Sequence, residues 1–154
     1  MKLRPYESRD ADAIFEWMRD PEGIALAAFT AENPDDRDAF DAWLARNLAN
    51  PSVVHRMIEV DGATVGTISS FVMEGDREVT YWIDRAHWGS GIATRALQAF
   101  LSEHPERPLY ARTAAHNLGS ALVLERAGFV RVGTDRGFAN GLGTEIDEHV
   151  HRLD

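Results

Sequence analysis

The residues best suited to chemistry lie in one run, Tyr81-Trp82-Ile83-Asp84-Arg85-Ala86-His87-Trp88-Gly89-Ser90-Gly91-Ile92-Ala93-Thr94-Arg95-Ala96-Leu97. A strand-like segment enters a turn with two glycines, and the turn opens a helix. That order aims successive backbone N–H groups and the positive end of a helix dipole at one point. Small residues let a phosphate approach the backbone closely. The run therefore reads as an anion site suited to a pyrophosphate. A plain strand-to-helix turn would look the same. Two well-known phosphate loops are absent: there is no G-x-x-x-x-G-K-S/T and no G-x-G-x-x-G followed by an acid.

Other side chains invite chemistry less strongly. Asp147, His149 and His151 are spaced i, i+2, i+4, so on a strand they share one side. That pattern suits metal ligands, but it equally describes a solvated strand face, and no metal is expected. His87 and His116 flank the informative segments. Arg85, Arg95 and Arg126 can reach phosphates or simply lie on solvated helix faces. The chain has no cysteine, which excludes disulfides, thiolate metal sites and a cysteine nucleophile. No G-x-S-x-G elbow is present.

The elements that must position these residues follow from periodicity. Leu3 to Tyr6 is a short strand. Ser8 or Asp10 can cap a helix bearing Ile14, Trp17 and Met18. Asn33 before Pro34 predicts a second helix, with Phe40, Trp43, Leu44 and Leu48 as its core-facing stripe. Three strands follow, over Val53 to Val60, Ala63 to Met73 and Glu78 to Ile83, joined by Asp61-Gly62 and Glu74-Gly75-Asp76 turns. In the third, Val79, Tyr81 and Ile83 alternate with Glu78, Thr80 and Trp82. A helix with Ala93, Ala96, Leu97, Phe100 and Leu101 on one face comes next, closed by Pro105 and Pro108. Leu109 to Thr113 is a strand, Leu118 to Ala127 a helix stopped by Gly128, and Phe129 to Gly133 a strand. Thr134 to Thr144 reads as a polar loop and Ile146 to Leu153 as the last strand. The pattern predicts a single α/β domain over residues 1–154, with a mixed, mostly antiparallel sheet of about seven strands and four helices.

Composition narrows the function. The 154 residues are 44% hydrophobic and 27% charged, ordinary for a globular protein. A net charge of −9 argues against a nucleic-acid partner. It would suit a cationic substrate, although acidic charge also simply confers solubility. No signal segment and no long apolar run stands out, so no membrane partner and a cytoplasmic location are expected.

Trp88-Gly89-Ser90-Gly91-Ile92-Ala93 resembles the acetyl-CoA signature of the GNAT superfamily of N-acetyltransferases. The usual Gln or Arg at its first position is Trp here, as in the ribosomal-protein N-terminal-acetyltransferase-like branch. Asn117-Leu118-Gly119-Ser120 followed by Leu124-Glu125-Arg126-Ala127-Gly128-Phe129 resembles the superfamily's second motif, at the expected separation. The order of elements agrees along nearly the whole chain. The resemblance implies a fold with two splayed central strands and the pantetheine arm of acetyl-CoA in their gap. Main-chain groups of Trp82 and Ile83 would then pair with that arm. Trp88, Gly89, Ser90, Gly91, Ile92, Ala93 and Thr94 would hold the pyrophosphate, and Asn117 and Ser120 would face the cofactor. Asn117 can instead be a plain helix cap and Ser120 a plain packing residue.

The implied reaction moves acetyl from a thioester to an amine, which must be neutral to attack. A lysine-like amine with a pKa of about 10.4 is rarely neutral near pH 7, so a general base is useful. Glu78 is the candidate, because the superfamily often carries a Glu there; an exposed Glu at a strand start is the competing reading. A strand N–H near Ile83 can stabilise the oxyanion. Many relatives carry a Tyr as acid where this chain has Leu124. Ser120 can donate instead, or the thiolate can leave unaided. Trp17, Phe29, Trp43 and Phe138 are expected to line the acceptor side, with Trp17, Phe29 and Phe138 in contact with the substrate. The expected activity is acetyl transfer to a primary amine, on a protein N-terminus or a small molecule. A non-catalytic acyl-CoA sensor is the alternative, favoured by Leu124. A homodimer through the last strands is a further expectation.

Overall fold

The computed structural model describes all residues, 1–154. Its strands are β1 (Lys2–Pro5), β2 (Val54–Val60), β3 (Ala63–Met73), β4 (Asp76–Ile83), β5 (Leu109–Ala114), β6 (Val130–Ala139) and β7 (Thr144–Leu153). Its helices are α1 (Ala11–Met18), α2 (Pro21–Ala27), α3 (Arg37–Ala49), α4 (Ile92–Glu103) and α5 (Leu118–Arg126). The strands form one sheet in the order β1-β2-β3-β4-β5-β7-β6. All neighbours are antiparallel except β4 and β5, which are parallel. No helix is long and apolar enough to cross a membrane.

Strand alternation sorts the side chains. Val79, Tyr81 and Ile83 of β4 join the main core beside Ile68, Leu97, Phe100, Leu109 and Leu124, on the face covered by α4 and α5. Glu78, Thr80 and Trp82 take the opposite face, and a Cβ on Gly23 of α2 would lie 2.9 Å from the Trp82 ring. Directly opposed residues share a face. Arg112 and Ala114 of β5, Glu148 of β7, and Asp135 and Gly137 of β6 therefore lie on the Glu78 side.

Several expectations need correction. Five helices flank the sheet rather than four. The additional one, α2, begins with Asp20 accepting from the Gly23 N–H at 3.2 Å. Its run Pro-Glu-Gly-Ile-Ala-Leu-Ala has no apolar stripe to betray it. Neither Ser8 nor Asp10 caps α1 with its side chain. The buried Asp10 carboxylate instead pairs bidentately with Arg4 at 2.8 Å and accepts the Glu7 N–H. Asn33-Pro34 forms a turn, and α3 starts later, with Asp36 accepting from the Ala39 N–H at 3.0 Å. The expected stripe of α3 buries only Leu44. Trp43 and Leu48 stay exposed because α3 meets the fold through Phe40 on Phe15. Thr134 to Thr144 is mostly strand: β6 and β7 form a long hairpin closed at residues 140–143. β6 is an edge strand and mostly exposed, so no apolar alternation marks it.

Candidate functional site

β4 and β5 share one register pair, Glu78 with Tyr110, and then separate. This opens a wedge in the middle of the sheet, bounded by the end of β4, the end of β5, and the turns that lead into α4 and α5. A 3₁₀ turn at Arg85–His87 follows β4, and Asp84 accepts from the Ala86 N–H at 3.2 Å. The Ser90 hydroxyl donates to the His87 carbonyl at 2.7 Å and stitches the loop. Gly89 (φ 79°) and Gly91 (φ 75°) occupy the left-handed region, where L side chains are strained. Gly91 is the N-cap of α4, whose first internal bond runs from the Arg95 N–H to the Gly91 carbonyl at 3.1 Å. The N–H groups of Ile92, Ala93 and Thr94 therefore lack partners within the helix. They form a cluster of donors at the positive end of a 12-residue dipole, suited to a phosphate or pyrophosphate. The Ile92 side chain itself is buried in the core.

The structure brings together most of the sequence candidates and redefines some. The Trp88 indole N–H donates to the Ile83 carbonyl at 2.9 Å, folding the loop back onto the strand end. The Asp84 N–H donates to the Val65 carbonyl of β3. By alternation, the Trp82 main chain also faces β3, while that of Ile83 faces the wedge. Of the two residues expected to pair with an arm, only Ile83 is placed to do so, through its N–H. Asn117 uses its carboxamide oxygen to cap α5, accepting from the Ser120 N–H at 3.2 Å. Ser120 is half-buried, and its hydroxyl meets the Tyr81 hydroxyl at 2.7 Å. Leu124, one turn on, is buried in the core.

On the opposite face, Glu78 is only 5% exposed. Its nearest partner is Arg112, Nε to Oε1 at 3.5 Å. Burial raises its pKa above the usual carboxylate value, and Arg112 offsets that only in part. Arg112 is held from beyond by Asp135 at 2.6 Å and Glu148 at 3.1 Å. The row Glu78, Arg112, Glu148, Asp135 thus crosses four strands with one cation among three carboxylates. The sequence reading missed Arg112. A lone charge inside the otherwise apolar Leu109–Thr113 run was the available signal.

The side of this face near α2 is closed by direct contacts. The Gly141 N–H donates to the Ala28 carbonyl at 2.8 Å, and Asn140 Nδ2 donates to the Thr30 carbonyl at 2.9 Å. Ala28, Ala114 and Ala139 pack into a small cluster with Phe29 and Ile146 beside it. A Cβ on Gly141 would sit 2.6 Å from the Ile24 carbonyl, which explains glycine there. Phe29 overlies Gly137. Phe138, one residue further, points to the opposite face and is 60% exposed, so it does not line this site. The exposed Trp43 contributes no wall. Trp17 borders a cleft with Glu16, Asp20, Asp84 and Arg85, where Arg85 is tied to Asp20 (3.0 Å) and Glu22 (3.1 Å). Asp147, His149 and His151 do not converge. Asp147 pairs with Arg136 at 3.0 Å, and His151 shares a 2.9 Å hydrogen bond with Thr113. His116 bonds the Ala25 carbonyl of α2 at 2.7 Å.

Comparison with known proteins agrees with this geometry. Residues 1–130 match the family model described as "Acetyltransferase (GNAT) domain". The chain is 24% identical over 164 residues to the uncharacterised N-acetyltransferase p20 of Bacillus licheniformis, covering 99% of this chain and 92% of that protein. In fold it resembles the ribosomal-protein-alanine N-acetyltransferase of Brucella melitensis, with a TM-score of 0.81 and 21% identity over 99% of both chains. It also resembles the spermidine N-acetyltransferase of Vibrio cholerae, solved with CoA and spermine. There the TM-score is 0.83 and the identity 17%, over 99% of this chain and 94% of that one.

Proposed function

The chain belongs to the GNAT family of acetyltransferases, and from that premise we propose that it transfers acetyl from acetyl-coenzyme A directly to a primary amine of a small molecule. The observation that carries the reading is the wedge between β4 and β5, with a buried carboxylate at its closed end and a helix N-terminus at its open end. Acetyl-coenzyme A supplies an activated thioester carbonyl. The amides of Gly89 to Thr94 bind its pyrophosphate, where the absence of a side chain at both glycines leaves the backbone open to approach. The Ile83 N–H offers a donor to the pantetheine arm or to the reacting carbonyl oxygen.

Glu78 accepts the proton that the amine must lose. Its raised pKa makes it a better base than an exposed carboxylate, and the Arg112 guanidinium offsets part of that rise. Ser120, half-buried in the first turn of α5, offers a hydroxyl to the departing sulfur. The small-molecule reading rests on the contacts between α2 and the β6–β7 turn, which close one end of the groove that a peptide would need. The three carboxylates around Arg112 favour an acceptor that carries positive charge.

Thiol release from acetyl-coenzyme A should be followed with diamines, polyamines, amino acids and short peptides as acceptors. Faster turnover of cationic small amines than of peptides supports the proposal. Preference for peptide N-termini would overturn the small-molecule assignment. The buried Leu124 favours a second reading, an acyl-CoA sensor, which predicts tight acetyl-coenzyme A binding with no turnover of any amine.

A further inference from the structure

With Leu124, α5 carries no phenolic hydroxyl of its own at that position. A tyrosine of β4 reaches the same helix. Tyr81 belongs to the core-facing side of β4, and its ring packs against the main core. Its hydroxyl crosses to α5 and lies 2.7 Å from Ser120 Oγ and 3.4 Å from the Ser120 carbonyl. It connects β4, one wall of the wedge, to the helix that follows β5, the other wall. Ser120 is fixed further by its own N–H, which donates to the Asn117 carboxamide.

We propose that Tyr81 is a positioning residue that orients the Ser120 hydroxyl toward the leaving sulfur, a role that rests on the acetyl-transfer reading above. A serine hydroxyl has one proton and two acceptor lone pairs. When Tyr81 donates to Ser120 Oγ, the serine proton is freed to point elsewhere, into the wedge. Burial pushes the Tyr81 phenol up to about 12, so it remains a donor throughout the working range.

The step balances without moving a proton through this pair. The amine nitrogen forms a C–N bond to the acetyl carbon, the C–S bond breaks with its electrons going to sulfur, and the amine proton goes to Glu78. Ser120 stabilises the thiolate by hydrogen bonding and keeps its own proton, because a hydroxyl is a far weaker acid than a thiol.

The test uses the complex with free coenzyme A, whose thiolate absorbs in the ultraviolet, with the desulfo analogue as blank. In wild type the bound thiol should titrate about one unit below the thiol of free coenzyme A measured alongside. Tyr81→Phe keeps the ring and its packing, and it should remove about half or more of that shift. Ser120→Ala should remove all of it, and Tyr81→Phe should then have no further effect. Thermal unfolding of each variant checks that it folds. A Tyr81→Phe complex that binds coenzyme A and titrates like wild type overturns the proposal and leaves the acetyl-transfer reading intact. A wild-type protein that does not bind coenzyme A overturns both.

Discussion

Glu78 and Tyr110 form the one register pair that joins β4 to β5. The sheet is continuous on either side of that pair and open beyond it. A single residue therefore marks where the wedge begins and also carries the buried carboxylate beside it. Arg112 follows Tyr110 by two positions on β5, which puts its guanidinium on the same face as Glu78. The ion pair sits at the crotch of the wedge because the two strands are still close there.

Gly91 starts α4 at φ 75°, and nothing lies within 4 Å of a Cβ added there. The obstacle to a side chain is therefore backbone strain and not crowding. Gly91→Val should weaken acetyl-coenzyme A binding by about tenfold or more while the core stays folded. Calorimetric titration measures the affinity, and thermal unfolding measures the core. Equal affinity in the two proteins would remove the pyrophosphate from this turn.

Phe29 and Phe138 separate the two faces of the β6–β7 hairpin. Phe29 lies over Gly137 on the Glu78 face, and Phe138 points away from it. Phe29→Ala should raise the KM for the amine several-fold with little change for acetyl-coenzyme A. Phe138→Ala should leave both constants near wild type. Steady-state kinetics with each substrate varied in turn decides this, and an amine effect from Phe138→Ala would contradict the assignment of faces.

Burial holds the imidazoles of His55 and His151 below their usual pKa of 6.5. Both bind protons more readily in the unfolded chain. Their contribution to stability is therefore complete above about pH 6.5 and is lost as pH falls through their folded pKa values. Glu78 has the opposite sign, since its raised pKa favours the folded state as it takes up a proton above 4.5. Unfolding midpoints should drop between pH 7.5 and 5.5, and His151→Gln should flatten that slope. An unchanged slope would mean that His151 stays neutral in both states or charges freely in the fold.

The strands and their turns were legible because β2, β3 and β4 alternate and are joined by Asp-Gly and Gly-Asp signals that the fold uses as turns. The two-glycine turn into α4 was legible because its glycines and its helix are contiguous in the chain. What escaped was set by contacts distant in sequence. Helix α2 lacks an apolar stripe and is held by Trp82 on Gly23 and by the β6–β7 turn. β6 is solvated and reads as loop because an edge strand needs no apolar alternation. The Tyr81–Ser120 bond and the row around Arg112 join residues that only the sheet order brings together. The contact of Tyr81 with the helix that carries Leu124 has no local signature in the sequence.

The most direct test of the account is mass spectrometry of an amine panel incubated with acetyl-coenzyme A and either wild type or Glu78→Gln. The account predicts mono-acetylated small amines with wild type. With Glu78→Gln at neutral pH the rate should be about a hundredfold lower. It also predicts that the acid limb of the wild-type pH profile, set by an ionisation above 4.5, disappears in the variant. Acetylated product formed equally fast by both proteins would remove Glu78 from the mechanism. No acetylated amine from a wild-type protein that binds acetyl-coenzyme A would contradict acetyl transfer itself.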